Sequence, residues 1–267
     1  MLETLDLEGR AVVITGGSRG LGRGMAFALA DAGARLMLAA RTQDELDATV
    51  EEVRARGGTV AALRTDVTDS AQVDALVAAC VREYGKIDVM FANAGAGGRQ
   101  HGEIWECTDE DFDALIATNL NSVFYAGRAA ARAMIEQGTG GSVVSTTSAG
   151  AYRGSKNWVY AAAKAGVVSL TKTMARSLGP HGVRSNTIVP GMVSQHDAQD
   201  DEERARRAQQ GSFNPGERIG EWWELGPLAV FLASDASSYV TGQEFFIDGG
   251  MVNAGLAPAG YRPHHEF

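Results

Sequence analysis

Arg10-Ala11-Val12-Val13-Ile14-Thr15-Gly16-Gly17-Ser18-Arg19-Gly20-Leu21-Gly22 reads as a strand, a glycine-rich turn and the first turn of a helix. Residues 10–15 form a short apolar run, the mark of a strand buried on both faces. Met25-Ala26-Phe27-Ala28-Leu29-Ala30 continues with helical patterning. Strand, glycine turn and helix together make a cradle for a pyrophosphate. Missing Cβ atoms let the backbone approach, and the helix N-terminus offers free amides and a positive dipole end. Gly16, Ser18, Arg19, Gly20, Leu21 and Gly22 are therefore candidate ligand contacts. The spacing is Gly-x-x-x-Gly-x-Gly, not the common Gly-x-Gly-x-x-Gly fingerprint.

The next strand, 35–40, ends at Arg41, where an acidic residue would have favoured NAD. Arg41 can instead meet a ribose 2′-phosphate, with Arg19 closing from the glycine turn, so NADP(H) is preferred over NAD(H). The other reading of both arginines is a solvated surface role. Asp44 and Glu45 fall on the following helix, 44–56, and are expected to face water. A third strand spans 59–65. Asp66, next to Val67, either accepts from an adenine amino group or caps the helix at 71–84, for which Asp69 and Ser70 are better placed. A fourth strand, 86–92, runs into Asn93-Ala94-Gly95, at the sheet edge where α/β folds bind ligands. The loop 96–108 carries Arg99, His101 and Trp105.

Residues 109–137 predict one long helix, in which Asn119 needs a polar partner or a function. A fifth strand begins at Ser142 and leads to Ser148, whose hydroxyl can polarise a carbonyl or cap a turn. Val159-Tyr160-Ala161-Ala162-Ala163-Lys164-Ala165-Gly166 opens an Ala-rich helix. Tyr160 and Lys164 share a face at one turn's spacing. An ammonium beside a phenol favours the phenolate, so the pair is read as an acid/base group. Tyr152 and Lys156 repeat the spacing, but in a glycine-flanked loop where the two share no face. A sixth strand, 183–189, ends in Pro190-Gly191. Residues 194–218 are charged throughout and are expected to form a solvated, mobile lid, polar all round. Pro227 places the start of the following helix near Glu224, or a kink there. Trp222 and Trp223 are read as packing residues rather than a substrate platform. The tail 254–267, with Pro258, Tyr261 and Pro263, either drapes over a neighbouring subunit or has no fixed structure.

Composition narrows the class. The chain has 267 residues, 45% hydrophobic and 21% charged, enough for one α/β domain over 1–253. A net charge of −9 argues against nucleic acid. No run approaches the length of a membrane span, and no signal peptide is read, so a cytoplasmic protein is expected. Cys80 sits in an apolar helical run and Cys107 in a polar loop, which is no disulfide framework. The five histidines show no metal-ligand spacing.

Taken in order, these motifs resemble the short-chain dehydrogenase/reductase family over about residues 5–252. Thr15-Gly16-x-x-x-Gly20-x-Gly22 is similar to its cofactor loop, Asn93-Ala94-Gly95 to its strand-four motif, and Asn119, Ser148, Tyr160 and Lys164 to its catalytic group. Pro190-Gly191 resembles its nicotinamide turn. Arg218-Ile219-Gly220-Glu221, Phe231-Leu232-Ala233-Ser234-Asp235, Thr241-Gly242 and Asp248-Gly249-Gly250 resemble its C-terminal signature. The resemblance implies a Rossmann-type doubly wound sheet of about seven parallel strands with helices on both faces, and a homo-oligomer, tetramer or dimer. It implies an enzyme that interconverts a ketone and a secondary alcohol. Tyr160 would be the acid/base, with Ser148 on the substrate oxygen and Lys164 on the nicotinamide ribose, lowering the Tyr pKa. Asn119 would hold a relay water, Asp66 and Val67 would flank adenine, and the backbone at Val193 would hold the carboxamide. The family commonly has a Thr shortly after Pro-Gly; here the run is Met192-Val193-Ser194-Gln195, and Ser194 is the expected stand-in. A non-catalytic dinucleotide-binding sensor or scaffold is the alternative class.

Overall fold

The computed structural model describes residues 2–97, 103–153, 157–212 and 214–253. Arg99, His101, Lys156 and the tail with Pro258, Tyr261 and Pro263 lie outside the described residues. Seven strands form one parallel sheet: β1 (Ala11–Thr15), β2 (Arg35–Ala40), β3 (Thr59–Arg64), β4 (Val89–Ala92), β5 (Gly141–Thr146), β6 (Val183–Pro190) and β7 (Glu244–Ile247). Their spatial order is β3-β2-β1-β4-β5-β6-β7. The chain works outward from β1 to β3, then crosses back to place β4 on the other side of β1. That reversal splays the loops after β1 and β4 apart and opens a crevice at their C-terminal ends.

Alternation along the strands builds two cores. Val12 and Ile14 pack into the one that holds α1 (Gly20–Asp31), α2 (Gln43–Ala55) and α8 (Gly226–Ala233). Ala11 and Val13 pack into the one beneath α3 (Ser70–Tyr84), α5 (Ser122–Gln137) and α6 (Trp158–Leu178). Both faces of the sheet are thus apolar, as its near-continuous hydrophobic strands require. Among the described residues, no helix is long and apolar enough to cross a membrane.

Three elements differ from the sequence expectation, each for a local reason. Strand β4 begins at Val89 rather than at Lys86. Ile87 gives its amide to the Gln137 side chain at 2.8 Å rather than to a neighbouring strand, and Asp88, whose carboxylate also accepts from the Ala11 amide at 2.7 Å, makes the first backbone bonds to Ala11 and Ser142 just ahead of the strand. The helix expected over 109–137 divides into α4 (Asp109–Ile116), a π turn (Ala117–Asn121) and α5. Thr118, Asn119 and Ser122 hydrogen-bond their side chains to the carbonyls of Ala114, Leu115 and Thr118, four residues back. Those bonds compete for acceptors an α-helix would use, and π turns of this kind often mark functional sites.

Residues 194–218, expected to be solvated all round, are not. Their helix α7 (Asp201–Gly211) turns Arg207 inward, where the guanidinium bonds the His196 carbonyl at 2.8 Å and Glu203 at 2.8 Å. Downstream, Trp222–Leu225 forms a 3₁₀ turn, and α8 starts at Gly226 with Pro227 in its first turn, where no amide bond is lost. Trp222 is buried edge-on against Phe27 and donates its indole N–H to Asp197 at 2.9 Å, whereas Trp223 is half exposed.

Candidate active site

A cleft of about 420 Å³ runs along the C-terminal edge of the sheet. Of the ligand-contact candidates from the sequence, Gly20, Asn119 and Ser194 do not line it, and the others from the glycine turn to Val193 do. At its centre the Thr15 hydroxyl accepts from the amides of Asn93 and Ala94 (3.0 and 3.1 Å). The Asn93 side chain donates to the Thr15 carbonyl at 3.0 Å and accepts from the Thr146 hydroxyl at 3.2 Å. Asn93 thereby stitches the ends of β1, β4 and β5 together.

The glycine turn fits a pyrophosphate. Arg19, the N-cap of α1, makes no side-chain cap bond, so it leaves the first amides of that helix to a ligand. A Cβ on Gly16 would sit 2.9 Å from the Ala94 Cα, and Gly16 has φ +67. A Cβ on Gly22 would overlap the Gly16 carbonyl oxygen and lie 2.7 Å from the Asn93 amide nitrogen. Neither neighbour can yield, because one is backbone and the other is held by β1. Gly22→Ala is therefore expected to destabilise the fold by about 3 kcal/mol and to abolish dinucleotide binding, read from the urea midpoint and a fluorescence titration. A loss below about 1 kcal/mol with binding intact would show that the turn tolerates the methyl group.

At the end of the cleft beside β2 and β3 lie Arg41, Asp66, Val67, Ser18, Arg19 and Glu45. Asp69 is the cap of α3, accepting from the amides of Ala71 and Gln72. Asp66 instead accepts from the amide and hydroxyl of Thr68, and these bonds hold its carboxyl below the usual range. Glu45 does not simply face water. It lines the cleft, accepts from the Ser18 hydroxyl at 3.1 Å and pairs with Arg19 at 3.6 Å.

At the opposite end α6 brings Tyr160 and Lys164 beneath the loop after β5. The Lys164 ammonium is 2% exposed, donates to the Thr146 carbonyl at 2.9 Å and lies 5.6 Å from the centre of the Tyr160 ring. The Thr147 hydroxyl fastens the same helix turn by donating to the Lys164 carbonyl at 2.6 Å. Burial brings Lys164 from 10.5 down to about 8. Burial also pushes Tyr160 up, with a hydrogen bond from Ser148 pulling the other way. The expectation that Lys164 lowers the Tyr160 pKa is not met within the protein, where burial sets an upward shift that the Ser148 bond only partly offsets. Asn119 is fully buried behind Gly95. Its amide donates to the carbonyls of Ala96 and Leu115, and its oxygen accepts from the Ala96 amide at 3.1 Å. Tyr152 ends a 3₁₀ turn and gives its hydroxyl to Glu244, away from this group.

The family model described as Enoyl-(Acyl carrier protein) reductase matches residues 16–252. Levodione reductase of Leifsonia aquatica is 41% identical over 91% of this chain and 94% of its own. L-rhamnose 1-dehydrogenase (NAD(P)(+)) of Azotobacter vinelandii is 37% identical over 91% of this chain and 96% of its own. A short-chain type dehydrogenase/reductase from Mycobacterium marinum superposes with a TM-score of 0.87 at 36% identity, covering 94% of this chain and 99% of that one.

The chain is a short-chain dehydrogenase/reductase.

As such it is an oxidoreductase of alcohols and carbonyl compounds that works with a nicotinamide dinucleotide. In this short-chain dehydrogenase/reductase the turn after β6 departs from expectation. Ser194 does not reach the cleft. It is buried, donating to Glu221 at 2.7 Å and accepting from the Trp222 amide at 3.1 Å, so it ties the segment after β6 to the 3₁₀ turn before α8. Gln195 is the residue that lines the cleft beside Val193, and a Cβ on Gly20 (φ +53) would strike its side-chain oxygen. Gln195 and Glu45 are among the cleft residues the sequence reading missed, with Thr42, Thr65, Thr118, Thr146 and Thr147. The spacing of Gln195 from Pro190-Gly191 was available, but which of two adjacent polar residues turns inward depends on Glu221, far along the chain. At Gly191 a Cβ would lie 2.6 Å from the Asp248 Cα, which brings the turn of Asp248-Gly249-Gly250 against the floor of this end.

Proposed function

We propose that this enzyme interconverts a small ketone and its secondary alcohol, with NADP(H) preferred over NAD(H) and Tyr160 as the acid/base. The observation that supports it most is the grouping of Tyr160, Ser148 and a buried Lys164 in one cleft with the N-terminus of α1, whose cap residue makes no side-chain bond. When bound, the dinucleotide supplies or takes up the hydride. The residues Gly16, Ser18, Arg19, Leu21 and Gly22 would hold its pyrophosphate, with Gln195 reaching the same turn, and Val193 would hold its nicotinamide end. Ser148 donates to the substrate oxygen and orients it toward Tyr160. Tyr160, held protonated by burial, gives its proton to that oxygen as the carbonyl carbon is reduced. Lys164 places a positive charge beneath the developing oxyanion, and donors fixed in advance at such a site are worth several kcal/mol, on the order of 3–4. Asn119 fixes the Ala96 backbone behind Lys164 and stands where a relay water would be held. Arg19 and Arg41 support the NADP(H) preference, since either guanidinium can pair with a 2′-phosphate.

A panel of ketones and secondary alcohols, followed by cofactor absorbance in both directions, tests the reading. Ketone-dependent consumption of NADPH is expected, faster than that of NADH at equal concentration. Tight dinucleotide binding with no turnover on any compound would favour a sensor or scaffold instead.

A further inference from the structure

We propose that Glu45 sets the balance between the two dinucleotides by holding Arg19 and Ser18 away from a 2′-phosphate; this rests on the dinucleotide reading above. Glu45 lies in the first turn of α2, four residues beyond Arg41. One carboxylate oxygen accepts from the Ser18 hydroxyl at 3.1 Å, and the other pairs with Arg19 at 3.6 Å. The Thr49 hydroxyl donates to the carbonyls of both Ser18 and Glu45 (2.9 and 3.0 Å), which fixes the glycine turn against this helix. Ser18 is itself buried, so its hydroxyl has little freedom to turn elsewhere. Asp66 is bonded to Thr68 and feels the charge of Arg41, and the Arg64 side chain donates to the Arg41 carbonyl. Glu45 is the carboxylate in the lining that engages Ser18 and Arg19 directly.

The two dinucleotides meet this carboxylate differently. A ribose with a free 2′-hydroxyl can donate to it and leave the Arg19 pair in place. A 2′-phosphate brings like charge and must take Arg19 from Glu45 before gaining anything from it. Glu45 thus tempers the preference that Arg19 and Arg41 create and keeps NAD(H) usable.

The test is Glu45→Gln, which keeps the volume and an oxygen for Ser18 but removes the charge. Dissociation constants for NADPH and NADH are measured by nucleotide fluorescence without substrate. NADPH is expected to bind about tenfold tighter than to wild type, and NADH equally well or up to about threefold more weakly. Ser18→Ala, which leaves the charge in place, is expected to give no such tightening. Should Glu45→Gln lose its thermal transition, Glu45→Ala carries the same measurement. Unchanged or weaker NADPH binding by a folded variant overturns the role of Glu45 alone. If wild type binds neither dinucleotide, the cofactor reading itself fails.

Discussion

Replacing Tyr160 by Phe is expected to lower turnover about 10³-fold while leaving the dinucleotide dissociation constant within about twofold of wild type. The ring stays in its pocket above Lys164, and only the hydroxyl bonded to Ser148 is lost. A structural effect would appear in the melting transition and in cofactor binding; loss of a proton donor appears in turnover alone. The direction of the pKa shift adds a pH signature. Burial raises the phenol above its ordinary 10.0, so at neutral pH the group is protonated and ready to act as an acid. Ketone reduction should therefore hold steady from neutral pH to about 8 and fall above it, because the Lys164 ammonium loses its proton before the phenol does. Alcohol oxidation needs the phenolate and should climb with pH over the same range. Steady-state rates in both directions from pH 6 to 10 check this. A Phe variant that keeps more than a tenth of wild-type turnover would remove Tyr160 from the proton-transfer role.

The parts of this site that were legible in the sequence are those set by local rules. A buried strand followed by closely spaced glycines can only make a tight turn, so the position of Gly16 and Gly22 followed from residue type. Tyr160 and Lys164 share a face because a helix repeats every 3.6 residues. What escaped was decided by partners distant in the chain. Glu45 points into the cleft because Ser18, 27 residues earlier, offers a hydroxyl there. Ser194 turns away because Glu221, 27 residues later, accepts a hydrogen bond from its hydroxyl, which leaves Gln195 to line the cleft. Arg207 is drawn inward by the carbonyl of His196 and by Glu203, so a helix whose composition reads as fully solvated has a buried side. The pKa of Tyr160 failed in a third way. Spacing gave the neighbour correctly, but the sign depended on how deeply both groups are buried.

Lys164→Met is expected to stabilise the protein at pH 7 while costing about 10²-fold in turnover. Burial lowers the ammonium from 10.5 to about 8, which corresponds to about 3 kcal/mol of destabilisation whenever the group is charged in both states. Removing the charge recovers that amount, less about 1 kcal/mol for the lost hydrogen bond to the Thr146 carbonyl, leaving a net gain of about 2 kcal/mol. The dependence on pH has a definite sign. Because the folded value lies below the unfolded one, the unfolded chain binds more protons between about pH 8 and 10.5, and wild-type stability rises with pH there. Below pH 8 both states are protonated and the full penalty is present; above 10.5 neither is, and it has gone. The advantage of the Met variant should accordingly be largest at pH 7 and shrink toward zero, or reverse, by pH 10. Urea unfolding of both proteins at pH 7 and pH 10 measures it. A Met variant less stable than wild type at pH 7 would mean that Lys164 is held by more than the Thr146 carbonyl, and that the charge is not the burden its burial implies. If the gain appears together with the loss of turnover, the enzyme keeps a buried ammonium that its fold would be more stable without, because the positive charge is needed beneath the reacting oxygen.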